Sequence, residues 1–227
     1  MQHSNTQFQV KVLLANRHVQ SMLASSKLRK RLHSNKHEDL IDQQVDVILN
    51  AGDNVRLHCL HSENHQAKPN KNKLVILIHG WEGSAESTYL LSAASALYNE
   101  GFSIIRLHLR DHGPSSHLNT ELFHAARLDE VLNALQNIQE RFNYDDTYLV
   151  GFSLGGNFAL RVRQEAENFA LKLHHIVAIS PVFSPVETMS ALENGTAIYR
   201  KYFIKKWKRA LKIKAMHFPD IYDFNTL

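Results

Sequence analysis

The sequence predicts an α/β protein with a mostly parallel sheet and helices on both of its faces. Three observations carry that expectation. Four short apolar runs, Leu74–Gly80 (LVILIHG), Ser103–Leu109 (SIIRLHL), Thr147–Ser153 (TYLVGFS) and Ile176–Ser180 (IVAIS), hardly alternate in polarity, as expected of strands buried on both faces. Segments of helical periodicity separate them, and alternating strand and helix is the signature of parallel pairing through crossovers. A Gly-X-Ser-X-Gly turn, Gly151 to Gly155, stands between the third run and the start of a helical pattern.

The elements follow in order. Residues 1–40 lack strong periodicity and read as a partly helical lead-in that carries the basic cluster KLRKRLHSNK, Lys27 to Lys36. Val45, Val47 and Leu49 alternate before Gly52-Asp53-Asn54, and Val55 and Leu57 after it, which is a hairpin pattern. A polar linker containing Pro69 leads into the first buried strand. Ser87 to Gly101 reads as a helix that stops at the glycine. Asn119 to Phe142 reads as a second helix, capped by Asn119 or Thr120, with an apolar stripe of Leu128, Val131, Leu132, Leu135, Ile138 and Phe142. Gly155 to Phe169 is the third, and a helical cap begins near Pro181.

With 227 residues, the chain has the length of one domain: a lead-in over 1–40, a core over 41–180 and the start of a helical cap over 181–227. Hydrophobic residues at 44% and charged residues at 21% exclude the disordered and fibrous classes. No apolar run approaches the ~20 residues of a membrane span. The single cysteine, Cys59, has no partner for a disulfide, and the chain reads as cytoplasmic. The net charge of +4 is local. Arg200 to Lys214 (RKYFIKKWKRALKIK) holds eight basic residues and no acidic one, which leaves 18 basic against 22 acidic elsewhere.

Ligands of open parallel sheets bind beyond the carboxyl ends of the strands. Three of those ends carry unusual residues: His79-Gly80-Trp81-Glu82-Gly83, Arg110-Asp111-His112-Gly113 and the turn at Ser153. A serine held on a tight strand-to-helix turn projects its hydroxyl into the cleft, and Gly151 and Gly155 remove the clash that the turn creates two residues to either side. The same turn aims the N–H of Leu154 and the positive end of the following helix at a forming oxyanion. The loop after the first buried strand supplies the second donor, for which the N–H of Trp81 is the candidate. His79 is expected to be a structural hydrogen-bonder. Asp111 and His112 either face the cleft or belong to a loop stabilised by its own polar side chains.

On NRHVQSML, LVILIHGWEGS, RLHLRDHG, VGFSLGGN and SPVFSPVETMSALENG, from Phe8 onward, the chain resembles the α/β-hydrolase fold superfamily, within it the YheT-like branch of short-chain carboxylesterases and monoacylglycerol lipases. The resemblance implies that Ser153 is the nucleophile of an ester hydrolase, with the Leu154 and Trp81 backbone as its oxyanion hole. It also implies an order of nucleophile, acid, then histidine. His174 and His175 precede the last strand at its amino end, and His217 is followed, not preceded, by Asp220 and Asp223. By the resemblance, the usual acid and histidine lie beyond Leu227, and the last strands of the fold are missing. An acyltransferase shares the same turn, and a truncated, inactive remnant is the other reading.

The basic segment offers a different class of function. Tyr199, Phe203, Trp207 and Leu211 recur every fourth position, a stripe that either packs inward as a cap or lies on an anionic membrane surface. No nucleic acid is expected as a partner. His58, His61 and His65 cluster in sequence without acidic partners in ligand geometry, so neither a metal nor an organic cofactor is expected. A small-molecule ester is the expected substrate.

Overall fold

The computed structural model describes residues 37–66 and 68–224. The basic cluster Lys27–Lys36, the NRHVQSML motif and most of the lead-in lie outside them. A short helix α1 (Glu38–Asp42) precedes β1 (Gln44–Asn50), which pairs antiparallel with β2 (Arg56–Ser62) from Asn50↔Arg56 to Gln44↔Ser62. Between them Gly52, Asp53 and Asn54 all take positive φ, which glycine, Asp and Asn tolerate best. Only Val47 and Leu49 of β1 turn into the core; Val45 is exposed.

The sheet continues with β3 (Lys73–Ile78), β4 (Ser103–Leu107), β5 (Asp146–Phe152) and β6 (His175–Ile179) in the spatial order β1-β2-β4-β3-β5-β6. The β4-β3-β5-β6 half is parallel. Helices α2 (Thr88–Asn99), α3 (Leu128–Arg141) and α4 (Leu154–Glu165) make the crossovers. Alternate residues of β3 face opposite layers. Leu74, Ile76 and Ile78 pack with Leu132, Leu135 and Ile138 of α3 and Phe158 and Val162 of α4. Val75 and Leu77 pack with Leu40 of α1 and Leu90, Leu91 and Ala94 of α2. Burial on both faces is why β3 and β4 lack polar alternation, whereas β6, expected from its apolar run to be buried likewise, lies at the sheet edge with Val177 and Ile179 exposed. Cys59 lies inside the first layer, where burial pushes its thiol up to about 12.

Register places the active end. Ile78 pairs with Leu107 on one side and Gly151 on the other, so β3, β4 and β5 end level. From β3 the chain moves to β4 on one side and then crosses to β5 on the other, which opens a crevice at those carboxyl ends. Beyond β6, helices α5 (Pro185–Asn194) and α6 (Ala197–His217) lie over that end.

Three elements differ from the sequence expectation. The helix expected from Asn119 or Thr120 begins at Leu128. Asn119 instead spends its amide on β2, accepting the Arg56 N–H at 2.9 Å and donating to the Arg56 carbonyl at 2.8 Å. Strand β4 ends at Leu107, although the His108 N–H still donates to the His58 carbonyl of β2 at 2.9 Å and the chain turns only from Arg110, and α4 stops at Glu165.

Candidate active site

Ser153 links β5 to α4 with φ 52 and ψ -113, a conformation few non-glycine residues adopt. Its neighbours explain how the turn is sterically possible. A Cβ on Gly151 would sit 2.1 Å from the Gly155 carbonyl oxygen, and one on Gly155 would sit 2.4 Å from the Ile78 carbonyl oxygen. A Cβ on Gly80 would lie 3.2 Å from the Ser153 Cβ, so the loop after β3 passes directly beside the serine. Glu82, Asp111, Ser153 and Ser180 each take positive φ in the segment that follows β3, β4, β5 and β6 respectively. Backbone strain of this kind, about 1–3 kcal/mol per residue, clusters where loops are held for function.

The exposed Ser153 opens into a cavity of about 1300 Å³ roofed by α5 and α6. Its walls are largely apolar, with Phe123, Phe152, Met189, Leu192, Phe203 and Trp207 among them. Along the β3 loop the Gly80 N–H donates to the Tyr89 hydroxyl at 2.9 Å, and the Glu82 N–H donates to His112 Nε2 at 3.2 Å. The Trp81 N–H between them has no hydrogen-bond partner among the described residues. The Leu154 N–H belongs to the first residue of α4, where no helical partner exists.

The alpha/beta hydrolase fold family matches residues 73–205, more than half of the chain. The chain belongs to that family. It is 26% identical over 165 residues to YheT of Escherichia coli (strain K12), named as a candidate esterase, covering 72% of this chain and 48% of YheT. It is 27% identical over 124 residues to a protein of Haemophilus influenzae named as a candidate esterase/lipase, covering 54% of this chain and 40% of that protein. The chain thus spans about half the length, or less, of these relatives. Among solved structures, the Pyrococcus furiosus esterase Pf2001 matches 76% of this chain and 63% of its own, with a TM-score of 0.59 at 21% identity. Est1E from Butyrivibrio proteoclasticus matches 60% and 52%, with a TM-score of 0.51 at 22% identity. Both share the α/β-hydrolase fold.

Within this α/β-hydrolase frame, the histidines at the strand ends act on the backbone. His79 contacts the Gly80 carbonyl through Nδ1 at 2.7 Å and accepts the Leu109 N–H at Nε2, 3.2 Å away. His112 contacts the Arg110 carbonyl through Nδ1, and His108 Nε2 accepts the Ala85 N–H at 2.9 Å. Each ring needs one unprotonated nitrogen to accept these bonds, and burial favours that neutral form. Burial holds His79 well below the usual histidine range, His108 at about 3 and His112 at about 4. The three rings fix the loop that carries Gly80 to Ala85.

Asp111 and His112 are therefore corrected as cleft residues. Neither lines the cavity, and both belong to a polar loop. Asp111 accepts the Phe123 N–H at 2.9 Å and pairs with Lys214 at 2.7 Å. His79 is likewise buried away from the cavity wall, whereas Gly80, Trp81, Ser153 and Leu154 line it. His174 and His175 lie at the amino end of β6, and His217 rests against His117, with ring centroids 5.6 Å apart. His58 bonds Asp46, His61 bonds the Tyr144 hydroxyl, and His65 is exposed near Glu63. His58, His61 and His65 thus each turn to a different partner.

The stripe on α6 turns inward: Tyr199, Phe203 and Trp207 line the cavity. Phe203 stacks on Trp81 with centroids 5.1 Å apart and planes 5° from parallel, and Lys206 donates to the Glu82 carbonyl at 2.9 Å. The sequence reading missed Tyr89, Lys206 and Lys214, and it missed His124, the one histidine on the cavity wall among the described residues. In sequence His124 sits inside an apparent helical run, so nothing marked it.

Proposed function

We propose that the chain carries the nucleophile and oxyanion hole of a serine hydrolase acting on carboxylic esters, of the short-chain or monoacylglycerol kind. The observation that carries this is the strained Ser153 turn, held open by Gly151 and Gly155 and emptying into a mostly apolar cavity. The names of the relatives support ester cleavage. In this reading Ser153 Oγ attacks the ester carbonyl and loses its proton to a base, and the carbonyl oxygen gathers negative charge between the N–H groups of Leu154 and Trp81. Collapse expels the alcohol, which takes up the proton, and leaves an acyl-enzyme. Water then adds to the acyl carbon, releases the acid and restores the Ser153 hydroxyl. The apolar walls would hold the acyl chain. His124, on the cavity wall, is the histidine to vary first in testing for that base.

A fluorophosphonate probe tests the reading on the 227-residue chain. Labelling that disappears in Ser153→Ala supports it. A cooperatively folded chain that is not labelled, or whose label survives Ser153→Ala, removes it.

A further inference from the structure

The inner face of α6 is spent on the cavity and the loops beneath it, through Phe203, Lys206, Leu211 and Lys214. Its outer face carries Lys201, Lys205, Lys208 and Lys212, all exposed. At 3.6 residues per turn these four share an arc of about 60° and run for about 16 Å along the helix. None of them makes a hydrogen bond or ion pair among the described residues, whereas the inward Lys206 and Lys214 both do. Helix α6 contains no acidic residue to offset them. Like charges three and four residues apart weaken a helix, so the stripe does not serve the stability of α6.

Apolar side chains border the stripe on both sides. By the same helical geometry Ile198, Tyr202 and Met216, which are 66%, 46% and 79% exposed, flank it on one side, and Ile204, 41% exposed, flanks it on the other. We propose that this outer face is a docking surface for an anionic lipid bilayer. The four lysines meet the headgroups, and their aliphatic stems, with Ile198, Ile204 and Met216, reach the acyl boundary. Lysine acts there as a point charge, and arginine, whose planar fork favours nucleic-acid phosphates, stands only at the margin: Arg209 beside Tyr202, where it also lines the cavity, and Arg200, which donates to the Glu193 carbonyl. The opposite face of the same helix walls the cavity at Ser153, so docking would bring that cavity to the membrane. The proposal does not depend on whether Ser153 reacts.

The test is sedimentation of the 227-residue chain with vesicles of phosphatidylcholine alone and with vesicles containing about one third phosphatidylserine. Binding is expected to the anionic vesicles only, and to be lost as NaCl rises from about 0.05 M to about 0.5 M. Replacing all four lysines (Lys201→Gln, Lys205→Gln, Lys208→Gln, Lys212→Gln) is expected to weaken it on the order of a hundredfold or more, and Ile198→Ser with Met216→Ser to weaken it several-fold. Should the quadruple variant fail to melt cooperatively, the single Lys→Gln variants carry the same readout, each with a several-fold loss. Equal binding to both vesicle types, no binding at low salt, or full binding by the lysine variants overturns the proposal. So does preference for duplex DNA over the anionic vesicles with no effect of the two serine substitutions.

Discussion

His108 Nδ1 lies 2.8 Å from His58 Nδ1, and the other nitrogen of each ring is also engaged. Ala85 donates its N–H to His108 Nε2, which leaves the proton of a neutral His108 on Nδ1, pointing at His58. His58 must then accept at Nδ1 and donate from Nε2 to Asp46, 2.6 Å away. A line of bonds thus runs from the exposed first strand to the loop beside Ser153, and it works only while His108 is neutral.

Acid should dismantle that arrangement. His79, His108 and His112 are all held by burial below the ordinary value of 6.5, so below that value the unfolded chain binds more protons than the folded one. Their contribution is therefore complete above about pH 6.5 and is lost as pH falls towards about 4. Each of the three adds a loss on the order of 1 kcal/mol per pH unit at most, and His112 adds least as pH approaches its folded value of about 4. Urea melts between pH 7 and pH 4.5 are expected to show this loss, and His108→Asn to shallow its slope. A stability flat across that range would contradict the assigned bonding.

The elbow glycines predict a graded response to added methyl groups. Gly151→Ala and Gly155→Ala place Cβ within 2.4 Å of backbone atoms that cannot move without breaking β3 or α4, so each is expected to cost more than about 3 kcal/mol. Gly156→Ala meets Pro181 at 3.1 Å and the Gly151 carbonyl oxygen at 3.2 Å, contacts that a shift of a few tenths of an ångström relieves, and is expected to cost about 1 kcal/mol. Thermal melts of the three variants check the order.

Much of this fold was legible in the sequence because burial on both faces writes itself as unbroken apolar runs. Leu74 to Ile78 and Ile104 to Leu107 have no polar residue except Arg106, whose guanidinium is buried against the Ala85 carbonyl and Gln44. The Ser153 turn was legible for a steric reason: only glycine fits at 151 and 155. Contacts made across long sequence separations left no such trace. Asn119 looked like a helix cap because capping and strand-edge pairing use the same amide. Asp111 and His112 stay open in the sequence between the cleft and a self-stabilised loop because a sequence does not say which way a polar loop faces. Lys214 looked like one more solvated lysine of a basic run.

Lys214 is instead the anchor of α6. Its ammonium, 1% exposed, meets Asp111 at 2.7 Å, the carbonyls of Ser116 and Glu121 at 3.3 and 3.2 Å, and the Asn119 carbonyl. Lys214→Met would leave Asp111 without its cation and is expected to cost about 3–5 kcal/mol. Adding Asp111→Asn removes the uncompensated charge and should recover part of that loss. Denaturant melts of the two single variants and the double variant give the coupling. Additive effects would mean that the pair does not interact as the geometry requires.

Tyr89→Phe isolates the loop that carries the second oxyanion donor. The ring packs on Phe152, with centroids 5.1 Å apart, and that contact survives the substitution, so only the hydroxyl that accepts the Gly80 N–H is lost. Leaving this partly buried N–H unpaired is expected to cost about 1–2 kcal/mol of stability. If the Trp81 N–H is an oxyanion donor, loosening the adjoining peptide should also slow fluorophosphonate labelling of Ser153, by about tenfold. Phe203→Ala serves as the contrast, because it removes the stack on Trp81 from the α6 side and leaves the Gly80 hydrogen bond intact. A Tyr89→Phe chain that is less stable yet labels at the wild-type rate would assign the hydroxyl to folding alone and remove Trp81 from the oxyanion hole.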